Sequence, residues 1–205
     1  MEIGRILFPV HELGPGNRLG IWVQGCQKRC KGCANPELQH VEKEKNISYD
    51  ILDRLVKNIV LYHCIDGVTI TGGEPFLQAE ELYKLLRTIK SICDDILVYT
   101  GYTYEELKNR NDIIIEKCFD CISVLVDGSY EEELNMGERL RGSTNQNIIY
   151  LDEKKIKTYE EYMNSGQRQI ENFNSSDGII SVGIHPQGFI RAIQGCNERV
   201  TQEKA

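Results

Sequence analysis

The chain has 205 residues, 40% of them hydrophobic and 27% charged, and a formal net charge of −7. That size suits one domain with its own core plus a small appendage, and the acidic balance argues against nucleic acid as the main partner. No apolar run approaches the roughly 20 residues that span a bilayer, and the N-terminal "MEIGRILFPVHELGPG" is no secretory signal, so the chain reads as cytoplasmic, with no membrane partner. In a reducing compartment its eight cysteines suggest metal binding or catalysis more than disulfides.

Along the chain, "NRLGIWVQG" (17–25) is a strand-like run that delivers the backbone into "CQKRCKGC", with cysteines at 26, 30 and 33. Ser48 then caps a helix whose apolar positions Ile51, Leu52, Leu55, Val56, Ile59 and Val60 recur at helical spacing. "DGVTIT" (66–71) is a β-branched strand ending in the turn Gly72-Gly73-Glu74-Pro75, and a second helix follows with Leu82, Leu85, Leu86 and Ile89 on one face. "DILVYT" (95–100) is the next strand. Gly101 breaks it, and Thr103 with Glu106 forms a capping box. "CISVLVDG" (121–128) has the near-continuous apolar run of a strand covered on both faces.

Strands alternating with helices at this spacing predict an α/β fold, a parallel sheet with crossover helices. Reactive groups in such sheets gather at the carboxyl ends of the strands. The cysteine loop, the Gly-Gly-Glu-Pro turn, Thr100-Gly101 and Asp127-Gly128 all belong to that end. Residues 152–205 change character and are read as a C-terminal extension. Its polar first part suggests a helix or two and a loop. "IISVGIHPQGFIRAI" suggests a small β-hairpin around the turn His185-Pro186-Gln187-Gly188, with His185 at the surface.

Three cysteines in one loop leave two metal chemistries open. A structural zinc needs four ligands, which Cys118 and Cys121 would complete. Cys121 opens a buried strand, however, where free cysteine serves as a small apolar residue. An iron-sulfur cluster held by three thiolates leaves one iron without a protein ligand. Cys64 and Cys93 read as packing, Cys196 as incidental, and Trp22 as core.

The spacing Cys26-x-x-x-Cys30-x-x-Cys33 resembles the motif of radical S-adenosylmethionine enzymes, and "TGGEP" (71–75) resembles that superfamily's glycine-rich turn. "GPGNRLGIWVQGC", "GCANPE", "VYTGYTYEEL", "VLVDGSYEEEL" and "RGSTNQ" are similar in order to segments of the glycyl-radical activase branch, the anaerobic ribonucleotide reductase activating proteins. The resemblance implies an incomplete parallel (βα) barrel over residues 1–151 and one 4Fe-4S cluster on Cys26, Cys30 and Cys33. It also implies an S-adenosylmethionine pocket lined by Gly32, Cys33 and Ala34, with Gly72, Gly73 and Glu74 at the amino group. Asp127 is implied for the ribose hydroxyls, and Arg141, Ser143 and Asn145 for the carboxylate or ribose.

The implied reaction is reductive cleavage of the cofactor to a 5'-deoxyadenosyl radical, which takes hydrogen from a glycine of a partner enzyme such as anaerobic ribonucleotide reductase. The electron comes from flavodoxin or a similar donor, for which Lys28, Arg29 and Lys31 offer a docking charge. No acid–base catalytic residue is implied. Ala34 stands where the branch often has an aromatic residue or histidine, so stacking on the adenine falls to Trp22 or Tyr99. The 55 residues after position 150 keep two other readings open: radical modification of a peptide or small molecule, and a noncatalytic iron-sulfur or zinc module.

Overall fold

A computed structural model describes residues 1–42, 47–176 and 178–193. A six-stranded sheet in the order β1-β2-β3-β4-β5-β6 organises the fold. Its strands are β1 (Ile3–Val10), β2 (Arg18–Val23), β3 (Gly67–Gly72), β4 (Ile96–Tyr99), β5 (Val124–Asp127) and β6 (Asn147–Tyr150). The pairings β2/β3, β3/β4 and β4/β5 are parallel, whereas β1 and β6 close the two edges antiparallel. The edge strand β1 is absent from the sequence reading because Gly4, Arg5 and Pro9 interrupt its alternation.

Helices α1 (Tyr49–Tyr62), α2 (Ala79–Lys90), α3 (Tyr104–Lys108) and α4 (Ile113–Phe119) connect the parallel strands. Leu82, Leu85, Leu86 and Ile89 of α2 are fully buried against one face of the sheet, as their spacing predicts. Glu80 and Glu81 open that helix and Arg87 and Lys90 close it, which suits the helix dipole. In α1 only Leu52 and Val56 are buried, while Ile51 and Leu55 are exposed. Its apolar stripe is therefore wider than the surface that covers it. Ser48 is the N-cap of α1 without a side-chain capping bond, whereas the Thr103–Glu106 capping box forms in full.

The opposite face of the sheet is covered by chain from beyond residue 151. Helix α5 (Ile156–Asn164) packs Tyr159 and Tyr162 with Leu97, Val124 and Val126. An antiparallel hairpin of β7 (Ile170–Ser175) and β8 (Gly178–Gly183) packs Val182 with Val10, Leu13 and Trp22. This corrects the expected hairpin. The polar segment "IENFNS" is its first strand, and β8 ends before the His185-Pro186-Gln187-Gly188 segment, which leads into a helical turn from residue 189. Edge pairing, rather than apolar alternation, stabilises β7, which is why its composition hides it.

A buried ion pair fastens the two ends of the chain. Arg18 is fully buried, and its guanidinium donates to Thr69 Oγ1 at 2.7 Å, the Val68 carbonyl at 2.9 Å and Asp95 Oδ1 at 3.0 Å. Tyr159 adds a second donor to Asp95. Satisfied on every side, the pair avoids the cost of an uncompensated buried charge. No helix among the described residues is long and apolar enough to cross a membrane.

Candidate functional site: the cavity at the carboxyl end of the sheet

Because β2 to β5 run parallel, their carboxyl ends bring four loops to one mouth. Backbone bonds knit the first two: Gly73 N donates to the Val23 carbonyl and Glu74 N to the Gly25 carbonyl, each at 2.7 Å. Glycine is required there. Gly72 has φ +107°, and a Cβ on Gly73 would stand 2.4 Å from the Gly25 carbonyl oxygen.

Glu74 ties in the third loop. It is buried, accepts from Phe76 N and Thr100 Oγ1 on one oxygen, and accepts from Gly101 N at 2.7 Å on the other. Burial pushes its carboxyl above the usual carboxylate range, opposed by these donors and by the nearby charge of Lys28. In the fourth loop, Gly128 N donates to the Tyr102 carbonyl.

These loops surround a cavity of about 180 Å³, roomy beside the roughly 10–15 Å³ of the same measure that one water needs. Cys26, Cys30, Gly32, Cys33 and Ala34 form one part of its wall, and Gly72, Gly73 and Glu74 another. Cys30 feels the charge of Cys26, and Cys33 that of both Cys30 and Cys26, so the three sulfurs are neighbours. Burial raises both thiols, whereas hydrogen bonds favour the thiolates: the Tyr130 backbone to Cys30, and the Asn35 backbone with the Gln39 side chain to Cys33. Among the described residues no three His, Cys, Asp or Glu side chains converge on a point fit for one metal ion. A cluster takes each thiolate on a different iron, so three spaced sulfurs on one concave wall match its donor set.

Trp22 and Tyr99 also line the cavity. Trp22 is buried and Tyr99 donates its hydroxyl to the Leu140 carbonyl at 2.7 Å. Asp127, Arg141, Ser143 and Asn145 are not in the wall and make bonds within the protein. Asp127 accepts from Tyr104 N, Asn147 N and Asn147 Nδ2. Arg141 pairs with Glu138 and donates to the Gln146 carbonyl, and Ser143 Oγ accepts from Glu131 N. Asn145 Nδ2 donates to the Ser129 carbonyl, and its buried Oδ1 has no partner among the described residues.

Cys118 and Cys121 are buried in the helix-side core, where Cys118 Sγ contacts the Ala79 carbonyl at 3.7 Å. Burial pushes the Cys118 thiol up to about 12, the behaviour of an inert packing group. Cys93 is partly buried, but Cys64 is exposed, contrary to its reading as packing; Cys196 lies outside the described residues.

Sequence reasoning missed one wall. Ser181, Val182, Ile184, His185, Phe189 and Ile190 close the cavity from the C-terminal extension. His185, expected at the surface, is 9% exposed. No motif marked it, because Asn135, which holds its carbonyl, meets it only through tertiary packing.

The sequence profile of the 4Fe-4S single cluster domain family matches residues 13–149, two thirds of the chain, including all three cysteines and both loop glycines. The chain belongs to the 4Fe-4S single cluster domain family. It is 31% identical over 151 residues to the anaerobic ribonucleoside-triphosphate reductase-activating protein of Escherichia coli K12, covering 67% of this chain and 91% of that one. The protein of the same name from Pasteurella multocida is 36% identical over 67% of this chain and 89% of its own. That of phage T4 is 30% identical over 66% and 85%. The resemblance to the anaerobic ribonucleotide reductase activating proteins is thereby borne out, and the family profile stops before α5 and the hairpin.

Proposed function

We propose that this protein is a radical S-adenosylmethionine activase that installs a glycyl radical on a partner enzyme, an anaerobic ribonucleotide reductase. The observation that carries this reading is the shared cavity: three neighbouring cysteines on one wall and the Gly72-Gly73 turn on the next. In it Cys26, Cys30 and Cys33 hold the 4Fe-4S cluster. Gly32, Cys33, Ala34, Gly72, Gly73 and Glu74 surround the cofactor. When bound, the cluster and S-adenosylmethionine supply the electron transfer and carbon–sulfur cleavage that yield a hydrogen-abstracting 5'-deoxyadenosyl radical.

The protein's own contribution is position and exclusion of water. Glycine at 72 and 73 lets backbone groups approach a bound amino group without a side chain intervening. Glu74 holds the β3 and β4 loops together, and the donors on Cys30 and Cys33 temper thiolate charge. Asp127, Arg141, Ser143 and Asn145, set back from the cavity wall, serve by holding the β5 and β6 loops in shape.

The same reading takes the sheet as an incomplete parallel barrel whose open side admits a loop of the partner. It keeps residues 1–151 as the radical core with 152–205 as an extension and places the protein in the cytoplasm. Lys28, Arg29 and Lys31, on the cysteine loop, offer flavodoxin or a similar acidic donor a cationic landing site, with Lys28 paired to Glu106 and Lys31 to Glu133.

The test is anaerobic reconstitution followed by reduction in the presence of S-adenosylmethionine. About four irons per chain, 5'-deoxyadenosine as product and a glycyl radical signal on added reductase are expected. Iron loading with no 5'-deoxyadenosine under any reductant would leave only a noncatalytic cluster module.

A further inference from the structure

His185 is held on nearly every side. Its backbone carbonyl accepts from Asn135 Nδ2 at 2.8 Å, its Nε2 meets Ser181 Oγ at 2.9 Å, and its ring stacks on Phe189 with centroids 4.1 Å apart and planes inclined 30°. The segment after it is anchored as well. Gln187 Nε2 donates to the Asn135 carbonyl, Gly188 N donates to Glu132 Oε1 at 3.0 Å, and Arg191 pairs with Glu132 Oε2 at 2.8 Å. Glu132 in turn lies against the cysteine loop, since a Cβ on Gly32 would meet its carboxylate at 2.9 Å. The exception is Nδ1 of His185. It is buried, has no hydrogen-bond partner among the described residues, and belongs to a side chain in the cavity wall.

A buried polar atom left alone in an otherwise satisfied network points to a missing partner. Burial and the charge of Arg168 push the imidazole down to about 4, so the ring is neutral and offers one donor and one acceptor. A neutral ring stacked on phenylalanine presents an apolar plane with a polar edge, the chemistry that suits a nucleobase. This segment follows the part of the chain that the 4Fe-4S single cluster domain profile matches, residues 13–149. Ala34, within that matched part, has no ring to offer.

We propose that His185 and Phe189 form the nucleobase subsite of the cavity, with His185 Nδ1 as its hydrogen-bonding group and Phe189 setting the ring plane. The C-terminal extension thus supplies specificity for the adenosyl end of the ligand, while the glycine turn serves its amino-acid end. This inference rests on the reading of the cavity as an S-adenosylmethionine site.

The experiment is equilibrium dialysis of the full-length, cluster-bearing protein with labelled S-adenosylmethionine, competed by 5'-deoxyadenosine or by methionine. His185→Gln keeps a polar group near Ser181 and removes the one at Nδ1; His185→Asn does the reverse. His185→Gln and Phe189→Ala should each weaken S-adenosylmethionine and 5'-deoxyadenosine by about tenfold, with competition by methionine unchanged. His185→Asn should bind within about threefold of the parent. Unchanged binding in His185→Gln, or equal losses for 5'-deoxyadenosine and methionine, would overturn the subsite. Failure of the parent protein itself to bind S-adenosylmethionine would instead overturn the function on which the subsite depends.

Discussion

The hydroxyl of Tyr159 donates to Oδ1 of Asp95 at 2.7 Å, and both residues are buried. One belongs to α5 and the other leads into β4, so the extension is fastened into the centre of the sheet. Tyr159→Phe removes a hydrogen bond to a charged group and should lower stability by about 1.5–3 kcal/mol in urea denaturation. Ending the chain at Leu151 strips Tyr159, Tyr162 and Val182 from the sheet and uncovers Leu97, Val124 and Trp22. The truncated protein should lose its cooperative transition. A truncation as stable as the full chain would mean that the second face needs no cover.

Alanine at Cys26, Cys30 or Cys33 should each abolish retention of iron after anaerobic reconstitution, read by metal analysis and visible absorbance. Cys118→Ala and Cys121→Ala should keep it, because those thiols are packed in the helix-side core. Loss of iron in a folded Cys121→Ala protein would place a metal ligand where the structure has a packing group.

Glu74→Gln should cost about 1–3 kcal/mol, because an amide can present only one acceptor where the carboxylate serves Phe76 N and Thr100 Oγ1 on one oxygen and Gly101 N on the other. The same change should loosen the cavity wall and weaken S-adenosylmethionine several-fold in dialysis. Parent-like stability and binding together would show that the β3 and β4 loops do not depend on this carboxylate.

His11 links β1 to the hairpin through Glu171, its Nδ1 2.5 Å from the carboxylate, with Asn17 on Nε2 and Glu12 nearby. The hydrogen bond to Glu171 raises its pKa above 6.5. Its stabilisation is therefore complete below about pH 6.5 and lost as pH rises through the higher folded value. Urea midpoints of the parent should fall on going from pH 6 to pH 8, and His11→Gln should flatten that dependence. The group is half exposed, so the difference should stay under about 1 kcal/mol. An identical pH profile in the variant would remove His11 as its source.

The four parallel strands and the meeting of the cysteine loop with Gly72-Gly73 were legible because each rests on local pattern: β-branched runs, helical spacing and turn residues. Arg18 was not legible. In the sequence it is one basic residue before an apolar run, and only the distant Asp95 and Tyr159 make its burial tolerable. The same holds for His185, whose partner Asn135 arrives through tertiary packing. Strand β7 stayed hidden because Ile170 and Phe173 are its only large apolar residues. Ionic, polar and edge interactions across long sequence separations leave no periodic trace.

The backbone bonds from Gly73 and Glu74 to Val23 and Gly25 carry a consequence for maturation. They bridge about fifty residues, so the cysteine loop acquires its shape only after β3 has docked beside β2. Three thiols on an unfolded chain hold no such geometry. Metal loading therefore follows assembly of the sheet, and apoprotein stripped of iron should retain its secondary structure and regain its cluster without passing through an unfolded state.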